Sequence, residues 1–300
     1  MPKFSTQILI LLLTLSLYSC KEEPIPTTSN FVASPGDIVV TNITNDSVVL
    51  YSSSGAFKRV LFDVENNAEI PYGVGWKHDT NEIMVAVDGS DRVVGISAVD
   101  GSVRTIIQHA SLTGNIRGVT QLIDGSILVA ESNNVEKFTT NGTRITDGFP
   151  LSGGINAVEN VSAKDDGGFV VCARTGDVVR TYEADGTLEN STASGIGGTT
   201  DGYGCAELDD GNIVTAWSGG TDTVSFYDSG LGDAGYTYRD ASILPSPRGV
   251  AQLANGNIVV ADATFHHLVE IDSTSGEFVG ILASSGLSAP NQILVIPDFL

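Results

Sequence analysis

Short runs of apolar residues alternate with polar turns along most of the chain. Runs rich in Val and Ile, such as residues 127–130 and 258–261, are bounded by Gly, Asp and Asn. This pattern is typical of short strands joined by tight turns, and apolar spacing of the helical kind does not recur over any long stretch. The sequence therefore predicts an all-β protein.

The strand pattern repeats. Residues 117–132 read RGVTQLIDGSILVAES and residues 248–263 read RGVAQLANGNIVVADA, with nine of sixteen positions identical. Weaker copies lie between and around these two, so that one apolar position recurs every 42 to 45 residues, at Val74, Val119, Val161, Cys205, Val250 and Ile293. Six copies at this period predict a six-bladed β-propeller with four antiparallel strands in each blade.

Each copy has the same internal order. An inner strand is followed by a turn with Asp-Gly or Asn-Gly, then by a β-branched second strand, an alternating third strand, a second Gly turn and a more polar fourth strand. The first turn needs residues that tolerate positive φ, and it is supplied by Asp124-Gly125, Asp166-Gly167, Asp210-Gly211 and Asn255-Gly256.

The two ends of the repeat region complement each other. Residues 38–63 hold a second, third and fourth strand without an inner strand before them, and residues 290–296 hold an inner strand with nothing after it. We expect the C-terminal strand to complete the first blade, since closure of the ring removes its open edges. The propeller domain is predicted to span residues 37–300.

The pattern Pro-x-Gly-Val, then Asp-Gly-x-Ile-x-Val-Ala-Asp, then an alternating strand and a second Gly turn resembles NHL repeats. It is also similar to the wider group of six-bladed propellers with gluconolactonase-type and strictosidine-synthase-like members. The resemblance covers residues 37–297 and implies the fold more strongly than any activity. Gluconolactonase-type members hold a divalent metal in the channel with Glu, Asn, Asn and Asp, and only Glu159 and Asn291 match those positions here.

The N-terminus predicts export. Residues 1–19 combine Lys3 with an eleven-residue apolar segment that is too short to span a bilayer, which is typical of a signal peptide. Ser19-Cys20 resembles the lipobox of bacterial lipoproteins, in which the Cys is lipidated; a secretory signal with a chance Cys is the alternative. Lys21-Glu22-Glu23 resembles the surface-export signal of Bacteroidota lipoproteins, or else begins a solvated tether over residues 20–36.

Charge limits the partners. The formal net charge is −21, and removal of Lys3 with the signal peptide makes it −22. Such an acidic chain repels phosphate backbones, so a nucleic acid partner is not expected, and attachment to a membrane would depend on lipid at Cys20. Cys172 and Cys205 lie in apolar strands and favour two unpaired core thiols over a disulfide. No Cys/His cluster indicates zinc, and no metal or other cofactor is predicted.

Candidate binding residues come from the position just before the recurring Gly-Val, which in such propellers lies at one mouth of the central channel. Around the ring this position holds Tyr72, Arg117, Glu159, Tyr203, Arg248 and Asn291. Because blades three apart face each other, Arg117 is predicted opposite Arg248. Paired Arg and Tyr suit a small anionic or sugar-acid ligand. Alternatively, each Arg forms a structural ion pair with a nearby acid, such as Glu131 or Asp262.

No catalytic residue is indicated, since neither a nucleophile motif nor a phosphate loop occurs. We therefore expect a surface-anchored lipoprotein of the outer membrane whose propeller binds a small anionic or sugar-like ligand, or a protein partner, without catalysis. The alternative is a gluconolactonase-like hydrolase or lyase with a metal in the channel.

Overall fold

The computed structural model describes residues 32–64, 69–151, 153–192 and 200–299. All regular elements in these ranges are β-strands, arranged as six four-stranded antiparallel sheets. The predicted all-β, six-bladed propeller is thereby confirmed. The N-terminal residues 1–31, which carry the predicted signal peptide, Cys20 and most of the tether, lie outside the described residues.

The strands of each blade follow one another in sequence, except in blade 1. Blade 1 contains β1 (Ile38–Asn42), β2 (Ser47–Tyr51) and β3 (Phe57–Asp63), and blade 2 contains β4 (Ile70–Lys77), β5 (Glu82–Asp88), β6 (Arg92–Ser97) and β7 (Val103–Gln108). Blade 3 contains β8 (Ile116–Gln121), β9 (Ile127–Glu131), β10 (Asn134–Phe138) and β11 (Arg144–Ile145), and blade 4 contains β12 (Asn156–Ala163), β13 (Phe169–Thr175), β14 (Val178–Tyr182) and β15 (Leu188–Ser191). Blade 5 contains β16 (Gly202–Glu207), β17 (Ile213–Trp217), β18 (Thr223–Tyr227) and β19 (Asp233–Tyr238), and blade 6 contains β20 (Pro247–Gln252), β21 (Ile258–Asp262), β22 (His267–Ile271) and β23 (Phe278–Ala283).

The last strand, β24 (Pro290–Val295), is the inner strand of blade 1. It pairs antiparallel with β1, with Ile293 opposite Val40 and Val295 opposite Ile38. The predicted closure of the ring by the C-terminal strand is therefore confirmed. The inner strands β24, β4, β8, β12, β16 and β20 contact one another in this cyclic order, so they surround a central channel.

The Asp-Gly and Asn-Gly turns have the predicted conformation. Gly125 has a φ of +85°, and the equivalent glycines of blades 4, 5 and 6 also lie in the left-handed region. The Asp or Asn that precedes each Gly accepts a hydrogen bond from the backbone N–H two residues on, as Asp124 does from Ser126 at 2.8 Å. A short side-chain acceptor thus fixes the turn, which explains why Asp and Asn recur there.

The core lies between adjacent blades. Phe226 and Val260, for example, belong to one buried cluster that joins blades 5 and 6. The inner strands approach so closely that a Cβ atom on Gly249 would lie 2.6 Å from the Asn291 carbonyl oxygen, and one on Gly118 would lie 2.9 Å from the Val161 nitrogen. Only glycine fits at these two contacts, which explains the Gly of the repeated Gly-Val.

Candidate functional site

The six predicted ring residues share one structural feature. In every blade the pairing between the inner strand and the second strand is interrupted by a β-bulge, and the ring residue lies within that interruption. In β12, for example, Val158 pairs with Ala173 and Asn160 with Cys172, so that Glu159 is left without an opposite residue. Because a bulge turns a side chain out of the regular strand alternation, the ring residues are directed differently from their neighbours.

Two tyrosine–arginine pairs occupy opposite sides of this ring. The Arg117 guanidinium lies 3.8 Å from the centroid of the Tyr72 ring, and the Arg248 guanidinium lies 3.6 Å from that of Tyr203. Both distances are those of a cation–π contact. Stacking on an aromatic face leaves the in-plane N–H groups of an arginine free to donate, which is the geometry that carboxylates bind.

Glu159 lies buried between these pairs, with 2% of its surface exposed. Burial raises the pKa of its carboxyl above the usual value, while Arg117, Arg174 and Arg248 act against that rise. Burial also raises the pKa of Tyr72, and Glu159 adds to that rise. Glu159 of blade 4 therefore interacts with side chains from blades 2, 3 and 6 as well as from its own blade.

Arg174 is a member of the mouth that the sequence reasoning did not identify. It lies on the second strand of blade 4, where its Nε is 3.7 Å from Glu159 Oε1 and its Nη1 donates to the Tyr203 hydroxyl at 3.3 Å. In the repeat register Arg174 aligns with Ser132 of blade 3 and Ala263 of blade 6, one position after the acids Glu131 and Asp262. A cationic residue near the end of a second strand is the sequence feature that could have indicated this position.

The ion pairs with Glu131 and Asp262 are wrong, although Arg117 does pair with another nearby acid, Asp88. Glu131 accepts a hydrogen bond from the Thr113 backbone at 2.8 Å. Asp262 accepts three backbone N–H groups, from Ser246, Thr264 and Phe265, at 2.6 to 2.9 Å. Both carboxylates stabilise loops by accepting their backbone N–H groups. The positions of the acids in the sequence do not distinguish this role from ion pairing.

The two mouth arginines differ in their partners. Arg117 donates to Asn115 at 3.1 Å and lies 3.8 Å from Asp88. Arg248 has no acid partner within the part of the chain that the structure describes, and its buried Nε has no hydrogen-bond acceptor there. Arg248 therefore lacks the protein partners that Arg117 has.

Two further buried atoms of the ring residues also lack partners in the described ranges. They are Glu159 Oε2 and Asn291 Oδ1. The Asn291 amide nitrogen donates to the Tyr72 backbone oxygen at 3.0 Å, which leaves the amide oxygen as the open acceptor. Unsatisfied buried polar atoms are few in folded proteins and call for an explanation.

A hydrogen-bonded bridge separates this mouth from the rest of the channel. Asn160 donates to the Gln292 side chain at 2.6 Å, and Gln292 donates to the Tyr203 backbone oxygen at 2.9 Å. On the other side of the bridge the inner strands line a cavity of about 430 Å³, which is bordered by Asn160 and includes none of the six ring residues. The mouth and this cavity are thus distinct spaces.

The ring residues do not fit a divalent metal. Glu159 and Asn291 offer oxygen atoms, but three arginines lie within electrostatic range of Glu159, and a hard cation requires a set of oxygen ligands without competing cations. Among the residues that the structure describes, no group of three or more His, Cys, Asp or Glu side chains is placed to hold a metal ion.

Two other features bear on the sequence predictions. Cys172 and Cys205 are both free and buried, as the sequence favoured. Within the described ranges, no helix has the length and apolarity needed to cross a membrane.

Comparison with known proteins finds solved structures with a similar fold. No family model matches the chain, and no curated protein matches it in sequence. Among solved structures, a chain of a nidogen/laminin complex is similar over 88% of this chain and 99% of its own, with a TM-score of 0.72 and 12% identity. A protein of unknown function from Bacteroides caccae is similar over 87% of this chain and 98% of its own, with a TM-score of 0.64 and 18% identity. At these identities the similarity shows the fold alone, and the chain is a six-bladed β-propeller.

Proposed function

We propose that this propeller binds a small anionic ligand at the mouth formed by the ring residues and Arg174, and that it does so without catalysis. The observation that carries the proposal is the state of Arg248. Its guanidinium is stacked on Tyr203 at 3.6 Å, and its buried Nε lacks an acceptor among the described residues. A buried donor without an acceptor costs about 1–3 kcal/mol, more for a charged group, and a bound anion supplies the missing acceptor.

The charge at the mouth supports the same conclusion. The chain as a whole is strongly acidic, with a formal net charge of −21, yet Arg117, Arg174 and Arg248 all interact with the buried Glu159 carboxyl, with Asp88 and Asp201 as the other acids nearby. A site with three guanidinium groups in an acidic protein favours anions locally while the rest of the surface repels them. Charge-assisted hydrogen bonds from arginine are about twice as strong as neutral ones.

The experiment is a thermal-shift and calorimetric screen of small carboxylates, sulfate and phosphate. Wild type should bind at least one anion, and Arg248→Gln should weaken that binding by roughly 10-fold to 100-fold, as expected for one lost charge-assisted hydrogen bond. Arg59→Gln is the matched control, because Arg59 is exposed on the outer strand of blade 1 and the substitution makes the same change in net charge. Failure of every anion to bind wild type, or an equal effect of both substitutions, would reject the proposal.

We further propose that the protein is a lipoprotein anchored through Cys20 at the outer face of the outer membrane. The support is the sequence Ser19-Cys20 followed by Lys21-Glu22-Glu23. A palmitate analogue should label the wild-type protein in cells, and Cys20→Ala should abolish the label, with Cys172→Ala as the control that keeps it. Equal labelling of the Cys20 variant would reject the anchor, and resistance to surface protease would reject the outer face.

A further inference from the structure

The mouth offers acceptors as well as donors. Glu159 Oε2 and Asn291 Oδ1 are buried without partners in the described ranges, alongside the unpaired donor Arg248 Nε. The exposed fraction of Glu159 is 2% and that of Asn291 is zero. A simple anion would satisfy Arg248, but it would leave both acceptor oxygens unpaired, because an anion such as sulfate or acetate has no hydrogen to donate.

These atoms belong to one site. Arg248 and Asn291 lie on neighbouring inner strands, β20 and β24, whose backbones are in close contact at Gly249 and Asn291. Glu159 lies on β12, opposite β24, and interacts electrostatically with Arg248. Arg248, Glu159 and Asn291 therefore lie at the same end of the channel.

We propose that the ligand is a hydroxylated carboxylate, whose carboxylate is bound by Arg248 and whose hydroxyl groups donate to Glu159 Oε2 and Asn291 Oδ1. The inference rests on the proposed anion site and adds the requirement for hydroxyl groups. It explains why a site built to attract anions retains a buried glutamate and an amide oxygen that faces no donor.

A hydroxyl group fits these acceptors better than an ammonium group does. Arg117, Arg174 and Arg248 surround Glu159 and would repel a further cation. Burial also raises the pKa of the Glu159 carboxyl, which brings its neutral form closer to physiological pH. A hydroxyl both donates and accepts, so it pairs with either form of the carboxyl, whereas an ammonium pairs only with the ionised form.

Four compounds with four carbons test the inference on wild-type protein. Threonate has a carboxylate and three hydroxyls, butyrate has only the carboxylate, and erythritol has only hydroxyls. Threonine has a carboxylate, an ammonium on C2 and a single hydroxyl on C3. We expect calorimetry to give threonate an affinity roughly 10-fold above that of butyrate, since a hydrogen bond to a buried acceptor contributes about that factor. Erythritol should bind at least 10-fold more weakly than threonate, because it lacks the charge.

A substitution of Glu159 tests whether this residue causes the preference for hydroxyl groups. Glu159→Leu removes both carboxyl oxygens at similar volume, so threonate should lose most of its advantage over butyrate. Glu183→Leu is the matched control, because Glu183 is exposed in the same blade and the substitution should leave the preference unchanged. If Glu159→Leu does not fold, the comparison of threonate with butyrate on wild-type protein still tests the inference.

The outcomes separate the two proposals. Equal affinity for threonate and butyrate would overturn the hydroxylated ligand and leave a plain anion site, with water on the two acceptors. Tighter binding of threonine than of threonate would overturn it in favour of an ammonium. Absence of binding by butyrate, threonate and every other anion would instead overturn the anion site itself.

Discussion

Asn160 and Gln292 join opposite sides of the channel by a hydrogen bond of 2.6 Å between their side chains. They occupy the position that is glycine in the other four inner strands, at Gly73, Gly118, Gly204 and Gly249. The two exceptions fall on blades 4 and 1, which face each other across a six-bladed ring. The bridge therefore exists because two opposed blades depart from the repeat together.

Gln292→Ala should remove this bridge and lower stability. The substitution leaves the Asn160 amide and the Tyr203 backbone oxygen without their partner, at a cost of about 1–3 kcal/mol. In a domain of this size the melting temperature should fall by about 2–4 °C per kcal/mol. Gln108→Ala, on the exposed face of β7, is the control and should melt within 1 °C or so of wild type, given the small effect of surface changes. Equal melting of both variants would show that the bridge contributes nothing.

The architecture was predictable because it depends on local patterns that repeat. Turn residues such as Asp124-Gly125 and the β-branched second strands recur in nearly every blade, and the strand bounds follow the apolar runs to within a residue or two in most strands. Ring closure could also be predicted, since the first blade lacks an inner strand before it and the C-terminus supplies one extra inner strand.

The site was predictable only in part. The six ring residues follow from the repeat register, but their partners depend on where bulges and loops direct the side chains. The sequence suggests Glu131 and Asp262 as ion-pair partners, but in the structure both carboxylates accept hydrogen bonds from loop backbone N–H groups. Arg174 lies one strand away from the ring position, and its approach to Glu159 requires the folded geometry of blade 4.

Deletion of residues 290–300 should prevent stable folding. It removes β24, which forms the inner edge of blade 1 and contributes Ile293 to a buried cluster between blades 6 and 1. The lost strand leaves the edge of β1 unpaired, and an open edge promotes aggregation. Light scattering and thermal melting should show an aggregating or strongly destabilised protein.

The control for that deletion is removal of residues 298–300, which leaves β24 and its pairing with β1 intact. This shorter truncation should stay soluble with a modest fall in melting temperature, since Phe299 stacks on Trp76 with ring centroids 5.7 Å apart. A soluble 290–300 deletion that melts like wild type would contradict the closed ring.

The two free cysteines should resist modification in the folded protein. Cys172 is fully buried and Cys205 is 2% exposed. Burial also raises the pKa of the Cys172 thiol, so the reactive thiolate is scarce. A thiol-reactive dye should label neither residue in native protein over a time in which both react in denaturant. Rapid native labelling of either residue, located by mass spectrometry, would contradict the packing between blades 4 and 5.

Anion affinity should fall as pH rises through the pKa of Glu159. The titratable groups that interact with this carboxyl are those of Arg117, Arg174, Arg248, Asp201, Tyr72 and Cys172. Because burial raises the folded-state pKa of Glu159 above its usual value, the carboxyl is neutral below that raised pKa and becomes negative as the pH rises through it, which repels a bound anion. The same sign applies to stability: the Glu159 contribution is largest below the unfolded-state pKa and is lost as pH rises through the folded-state pKa.

Calorimetry with butyrate at a series of pH values measures this dependence. Glu159→Gln should bind butyrate with a flatter pH profile and more tightly at the high end. An unchanged profile in the Gln variant would assign the titration to another group, such as Asp201, whose carboxyl pKa is also raised by burial.

Arg117 and Arg248 should contribute unequally to anion binding, although they occupy equivalent positions on opposite blades. Arg117 already donates to Asn115 and lies near Asp88, whereas the Arg248 Nε is unpaired in the described ranges. Arg248→Gln should therefore weaken butyrate binding more than Arg117→Gln does, and the double variant should abolish measurable binding.

The double variant should nevertheless melt within a few degrees of wild type. Glu131 and Asp262 keep their backbone hydrogen bonds, and Glu159, deprived of two of its three arginines, can take up a proton instead of remaining a buried unpaired charge. Thermal melting and calorimetry on the two single variants and the double variant separate these effects. A double variant that melts far earlier, while wild type binds no anion, would mean that both arginines serve only to hold the ring together.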